Sequence, residues 1–152
     1  MRGLGGNGLR NGTCVPLRSP LDRMKLAAVT LVVPDYDEAL LFYRDALGFH
    51  VIEDTPLDGG KRWVVVRPPD GECGLLLARA EGATQRARVG DQTGGRVAFF
   101  LQTDDFVRDH AAMIAAGVSF EEAPRRERYG TVAVWRDPFG NRWDLVEWNG
   151  DS

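Results

Sequence analysis

The chain has 152 residues, 43% of them hydrophobic, and its 19 basic and 22 acidic side chains give a formal charge of −3. That length suits one domain, or two small modules around one core, and an acidic balance with both signs interspersed argues against a nucleic-acid-binding surface. The two cysteines, Cys14 and Cys73, have neither metal-type spacing nor the density of a disulfide framework, which points to a reducing, cytoplasmic setting.

In chain order, residues 1–23 combine four arginines with scattered glycines and prolines and show no apolar period. They are expected to form a flexible leader ahead of one domain over residues 24–152, with either Met24 as the natural start or residues 1–23 as a loosely held arm. An apolar strand follows at 27–33; like the other apolar runs it is too short to span a membrane. Asp35 is placed to cap a helix in which Tyr36, Ala39, Leu40, Tyr43 and Leu47 recur at helical spacing, and Gly48 stops it. A short strand at 49–53 precedes a hairpin of 63–67 with 74–78, turned at Pro69, Asp70 and Gly71. This completes a first module, residues 24–80. A linker, 81–95, carries a short helix around 84–89 and ends in a glycine-bearing loop whose Gln92, with Arg96 just beyond it, could line a pocket rim. The second module, 96–148, repeats the order: strand 96–102, a helix capped by Asp104 and stopped by Gly117, strand 118–121, and a hairpin of 131–136 with 142–147. The loop before that hairpin holds Tyr129 as a candidate lid.

The two modules align without a gap at a shift of 69 residues. Asp35, Ala46, Gly48, Glu53, Val65, Arg67, Pro69, Gly71 and Leu76 fall on Asp104, Ala115, Gly117, Glu122, Val134, Arg136, Pro138, Gly140 and Leu145. The identities sit at helix starts, helix stops and hairpin turns. The fold class is therefore α+β: two tandem βαβββ modules forming a curved mixed sheet with helices on its convex side.

Residues 32–49, VVPDYDEALLFYRDALGF, resemble the first strand-to-helix segment of the vicinal-oxygen-chelate superfamily, and residues 137–147, DPFGNRWDLVE, resemble its closing hairpin. The group includes glyoxalase I, extradiol dioxygenases, fosfomycin-resistance proteins and bleomycin-binding proteins, and the resemblance covers about residues 24–148. It implies a homodimer and a small-molecule ligand. In catalytic members it also implies a divalent metal held early in the first strand and late in the last strand of each module. Those positions here are Ala28, Leu75 (Leu76 if the first hairpin is shifted by one), Val97 and Asp144, of which only Asp144 can ligate a metal. The two histidines, His50 and His110, lie away from these positions, so neither metal nor other cofactor is expected.

Strand alternation sketches the cleft. With Asp144 on the concave face, Arg142 and Val146 join it, and pairing Ala133 opposite Asp144 adds Thr131, Ala133 and Trp135. The repeat transfers this to Arg62, Val64, Val66, Cys73, Leu75 and Leu77, while the first strands add Ala28, Thr30, Val32, Val97, Phe99 and Leu101. The expected ligand-binding set is thus Thr30, Arg62, Thr131, Trp135, Arg142 and Asp144 around an apolar trough, with Gln92 and Arg96 at the rim. Asp144 reads either as a ligand anchor or general base, or as a carboxylate neutralised by Arg62 or Arg142. Three functions stay open: a metal-independent small-molecule-binding protein; a glyoxalase-type lyase or isomerase using Asp144 as acid or base; and a metal-dependent glyoxalase or dioxygenase with ligands elsewhere.

Overall fold

The computed structural model describes residues 20–150. Most of the leader lies outside the described residues; Pro20–Arg23 form a short 3₁₀ turn. The first module runs β1 (Ala28–Val33), α1 (Tyr36–Leu40, continued by a π-helical turn, Leu41–Ala46), β2 (His50–Pro56), β3 (Arg62–Arg67) and β4 (Gly74–Arg79). A short α2 (Gly82–Arg86) stands in the linker. The second module has β5 (Phe99–Gln102), α3 (Phe106–Ala115), β6 (Ser119–Phe120), β7 (Arg125–Glu127), β8 (Gly130–Arg136) and β9 (Arg142–Trp148). Strand orders are β1-β4-β3-β2 and β5-β9-β8-β6, with β7 beside β8, so the modules form two mixed sheets of four and five strands. In each, the first strand lies parallel to the last and the other pairs are antiparallel. Strand β7 is an addition that the repeat does not foreshadow.

Local chemistry explains the helix ends. The Asp35 carboxylate accepts from the Glu38 amide at 2.9 Å, as expected. In the second module the cap is Asp105, accepting from the Arg108 amide at 3.1 Å, and not Asp104, which pairs instead with the Arg108 guanidinium at 2.8 Å. Gly48 and Gly117 close their helices at φ 80° and 88°.

The modules share one core. Leu31, Val33, Val64, Val66, Leu75 and Leu77 from the first sheet and Ala133, Trp135, Trp143 and Leu145 from the second belong to one buried cluster with Tyr36, Leu40, Tyr43, Phe106 and Met113 of the helices. Trp135 stacks on Trp143 with centroids 4.9 Å apart, and Tyr43 and Phe99 pack on Trp143 at 5.9 and 4.6 Å.

Asp137, at the β8–β9 turn, is buried and saturated. It accepts from the amides of Phe139 (3.0 Å) and Asn141 (2.8 Å), the Asn141 side chain (2.7 Å) and, from the other module, the Tyr43 hydroxyl (2.6 Å). Burial, and then the Asp137 charge, push the Tyr43 phenol well above its ordinary pKa and keep it a donor. The linker binds the same frame. A Cβ on Gly90 would lie 1.9 Å from the Phe139 carbonyl oxygen, so only glycine lets the chain pass this turn. Gln92 then lies along the outer edge of β1, its amide accepting from Val32 N (2.8 Å) and donating to Thr30 O (2.7 Å) as a neighbouring strand would.

The ungapped repeat shift does not hold through the strands. Val65 faces Leu76 in the first module, whereas Val134 faces Asp144 in the second. Leu76 is therefore the counterpart of Asp144, a shift of one residue fewer, because the β8–β9 turn is one residue shorter than the β3–β4 turn. One residue of slip moves a strand's side chains to the opposite face.

Tyr43→Phe should lower stability by about 1–3 kcal/mol, because it strips a buried carboxylate of a donor. Gln92→Ala, which removes an exposed edge clip, should cost less. Denaturant unfolding of the two variants against the parent checks the order.

Candidate functional site

The faces turned away from the helices follow from the registers. On the first sheet Thr30, Leu76, Val65 and Glu53 form one cross-strand row. On the second, Phe100, Asp144 and Val134 form the equivalent row. Next to it is a cavity of about 260 Å³ lined by Phe100, Tyr129, Val132, Asp144, Val146 and Trp148.

Asp144 is the one charged group in this lining. It is 8% exposed, and its Oδ1 is buried with no hydrogen-bond partner among the described residues. Burial raises its pKa; Arg125 and Arg142 act in the opposite direction, and Glu122 and Glu121 reinforce the rise. The arginines are engaged elsewhere. Arg142 makes a two-pronged contact with Glu121 (2.9 Å each) and donates to Gly95 O (2.8 Å), while Arg125 is held by Glu122 (2.9 Å) and Glu127. Glu122 also accepts from Val134 N (3.1 Å). Above the carboxylate stand three aromatic rings that a globular surface ordinarily hides: Phe100 at 63%, Tyr129 at 48% and Trp148 at 46% exposure. Tyr129 and Trp148 meet at 5.7 Å because Gly130 lets the start of β8 press on β9; a Cβ there would lie 2.0 Å from Glu147 O.

The expected site residues separate. Asp144 and Arg142 share the open face, as alternation along β9 requires. Thr30 is on the open face of the first sheet, its carbonyl taken by Gln92, whose amide is spent on the β1 edge. Trp135 is a correction: it faces Trp143, not Arg142, and is fully buried in the core. Thr131 is on the same helix-facing side, opposite Glu147 and lining a separate recess with Phe106 and His110. Arg62 shares the face of the buried Val64; its guanidinium binds Asp54 (2.7 Å) and Asp37 (2.8 Å) and lies over the Tyr36 ring, so it cannot neutralise Asp144. Arg96 is exposed at a small recess shared with Arg136 and Arg142. Phe99, Leu101, Leu75 and Leu77 pack into the core or against it, not into the trough.

Phe100 and Trp148 were missed. For Trp148 the signal was present: Arg142, Asp144, Val146 and Trp148 alternate on one strand that runs one residue past the expected end. For Phe100 it was not, since Phe99 and Phe100 are adjacent and either could face out.

The residues present do not fit a divalent metal. The positions around Asp144 offer Phe100 and Val134, and the matching row of the first module offers Thr30 and Leu76. One carboxylate is not a ligand set. Among the described residues no three His, Cys, Asp or Glu side chains group so as to hold an ion. His50 is exposed at the start of β2, and His110 packs between the rings of Phe106 and Phe120. A larger cavity, about 790 Å³, lies on the helix side near Phe49, Leu101 and Met113, and its Asp104, Arg108, Asp109 and Thr103 pair with one another.

The raised pKa fixes the sign of a stability effect. The folded state holds the Asp144 proton more tightly than the unfolded chain, so stability is lost as pH rises above the ordinary carboxylate range. Asp144→Asn should therefore stabilise the fold by about 1 kcal/mol near neutral pH, and the gain should shrink at about pH 4. Denaturant melts at the two pH values check both.

A family profile described as Glyoxalase/Bleomycin resistance protein/Dioxygenase superfamily matches residues 25–145. An uncharacterized protein of Shewanella frigidimarina is 48% identical over 129 residues, 84% of this chain and 96% of its own length. Among solved structures, UcmS2 is 31% identical at a TM-score of 0.72, covering 82% of this chain and 98% of that one. TnmS3 of Streptomyces sp. CB03234, described as an antibiotic binding protein, is 27% identical at a TM-score of 0.68, covering 83% and 97%. The chain belongs to the glyoxalase/bleomycin resistance protein/dioxygenase superfamily.

Proposed function

We propose that this chain is a metal-independent binding protein for a small, partly aromatic molecule, held on the open face of the second sheet. The observation that carries the reading is Asp144, a buried carboxylate with an unpartnered oxygen beside an apolar cavity rimmed by three exposed aromatic rings. A buried polar group left unpaired costs stability, and such costs are kept where function uses them. The lack of companion ligands supports metal independence, and the similarity to an antibiotic binding protein supports a binding role.

A second reading, a lyase or isomerase with Asp144 as acid or base, draws on the raised pKa alone. It lacks a free second carboxylate, because Glu121 and Glu122, whose charges act on Asp144, are held by arginines.

The reading includes a homodimer in the cytoplasm. The exposed Ile52, Leu57 and Trp63 of the first module, which the proposed site does not use, are apolar groups that a second copy can shelter. The exposed thiol of Cys73 suits a reducing compartment. No helix among the described residues is long and apolar enough to cross a membrane.

Native mass spectrometry of protein purified from its own cells should show a small-molecule adduct that Phe100→Ala and Trp148→Ala both lose. An adduct retained in both variants would place the ligand elsewhere. Elemental analysis should find no stoichiometric transition metal; one equivalent, lost on Asp144→Ala, would sink metal independence. Sedimentation at micromolar concentration should give twice the 16.8 kDa chain mass, and a clean monomer would remove the dimer.

A further inference from the structure

We propose that the Asp144 cavity is a subsite for the positively charged head of the ligand, a protonated amine or a quaternary ammonium group attached to an aromatic body. The inference rests on the binding role proposed above and adds the chemical class of what binds.

Size comes first. The cavity, about 260 Å³, is smaller than the roughly 300–1,000 Å³ of pockets that enclose a whole ligand. It suits one end of a molecule, with the remainder lying along the exposed aromatic surface.

Charge decides which end. Around Asp144 stand Glu121 and Glu122 with Arg125 and Arg142. Arg125 pairs with Glu122 and Arg142 with Glu121, which leaves the Asp144 carboxylate as the unmatched negative charge of this group. An anionic head would meet that carboxylate in a site of low polarity. A neutral head could give it a hydrogen bond and leave the charge unbalanced. A cation matches both the charge and the missing hydrogen bond.

The walls add a second, independent preference. Phe100, Tyr129 and Trp148 present aromatic rings to the cavity, with Tyr129 and Trp148 tilted at 55° to one another. Ring faces attract cations, and several rings around one carboxylate form a cage that a hydrated anion does not enter. The remaining wall is Val132 and Val146, which supply apolar contact and no competing donor. Arg125 and Arg142, the basic groups whose charges act on Asp144, are held by glutamates.

The test uses three probes of one shape and different charge: naphthylmethylammonium, naphthylmethanol and naphthoate, titrated calorimetrically into the full chain. The ammonium should bind roughly tenfold or more tighter than the alcohol, and the carboxylate weakest. Asp144→Asn should erase the difference between ammonium and alcohol while leaving alcohol binding in place. Trp148→Leu, at an exposed position that does not support the core, should weaken the ammonium more than the alcohol. Equal binding of ammonium and alcohol by the parent would overturn the cationic head while keeping the binding role, as would a preference for naphthoate or one that survives Asp144→Asn. Binding of none of the three would overturn the subsite, and the adduct experiment above would then decide the binding role by itself.

Discussion

A phenol from the first helix and a carboxylate from the last turn hold the two modules in one frame. Tyr43 and Asp137 are 94 residues apart and meet in the interior at 2.6 Å. Around them, Phe42, Phe49, Trp135 and Trp143 fill the space between the sheets with rings in mutual contact. The bond survives burial because Asp137 has every need met: two backbone amides, the Asn141 amide and the Tyr43 hydroxyl all donate to it. A buried carboxylate so surrounded fixes position as well as charge. Through the same turn the linker is pinned at Gly90, and through Gln92 it closes the edge of β1.

That frame sets the contrast on which the site depends. Asp137 and Asp144 are both nearly buried, on the same hairpin, at 4% and 8% exposure. One lies on the helix side, saturated with donors. The other faces the open side with an oxygen that no described residue satisfies. The first reads as structure because its partners are all present. The second reads as a candidate site because that oxygen has no partner among the described residues, and because the surface over it is aromatic and exposed.

Most of the architecture was legible in the residues. Asp35, Gly48 and Gly117 mark helix ends by their own chemistry, and alternation along β9 put Arg142, Asp144 and Val146 on one face. What failed was pairing between strands. Cross-strand register depends on turn length, and the β8–β9 turn is one residue shorter than its counterpart. A repeat aligned without gaps carries that error into every strand after the turn. Pairing Ala133 opposite Asp144 put Trp135 in the cleft when it belongs in the core, and the ungapped repeat made Leu75 the counterpart of Asp144 where the register selects the alternative, Leu76. The capping error was of the same kind: Asp104 and Asp105 are adjacent and chemically alike, and only the path of the chain decides which carboxylate reaches the Arg108 amide.

Local sequence thus determined the α+β class, the two-module order, the resemblance to a metal-binding superfamily and the absence of that superfamily's usual ligand types, since each depends on residue identity or on periods within one strand or helix. Tertiary structure decided which side chains share a surface. It moved Trp135, Thr131 and Arg62 out of the site and brought Phe100, Tyr129 and Trp148 together over Asp144. The cavity lining draws on residues 48 positions apart along the chain, from Phe100 to Trp148. Their arrangement follows from register and from the close approach that Gly130 permits, and neither can be read from alternation within a single strand.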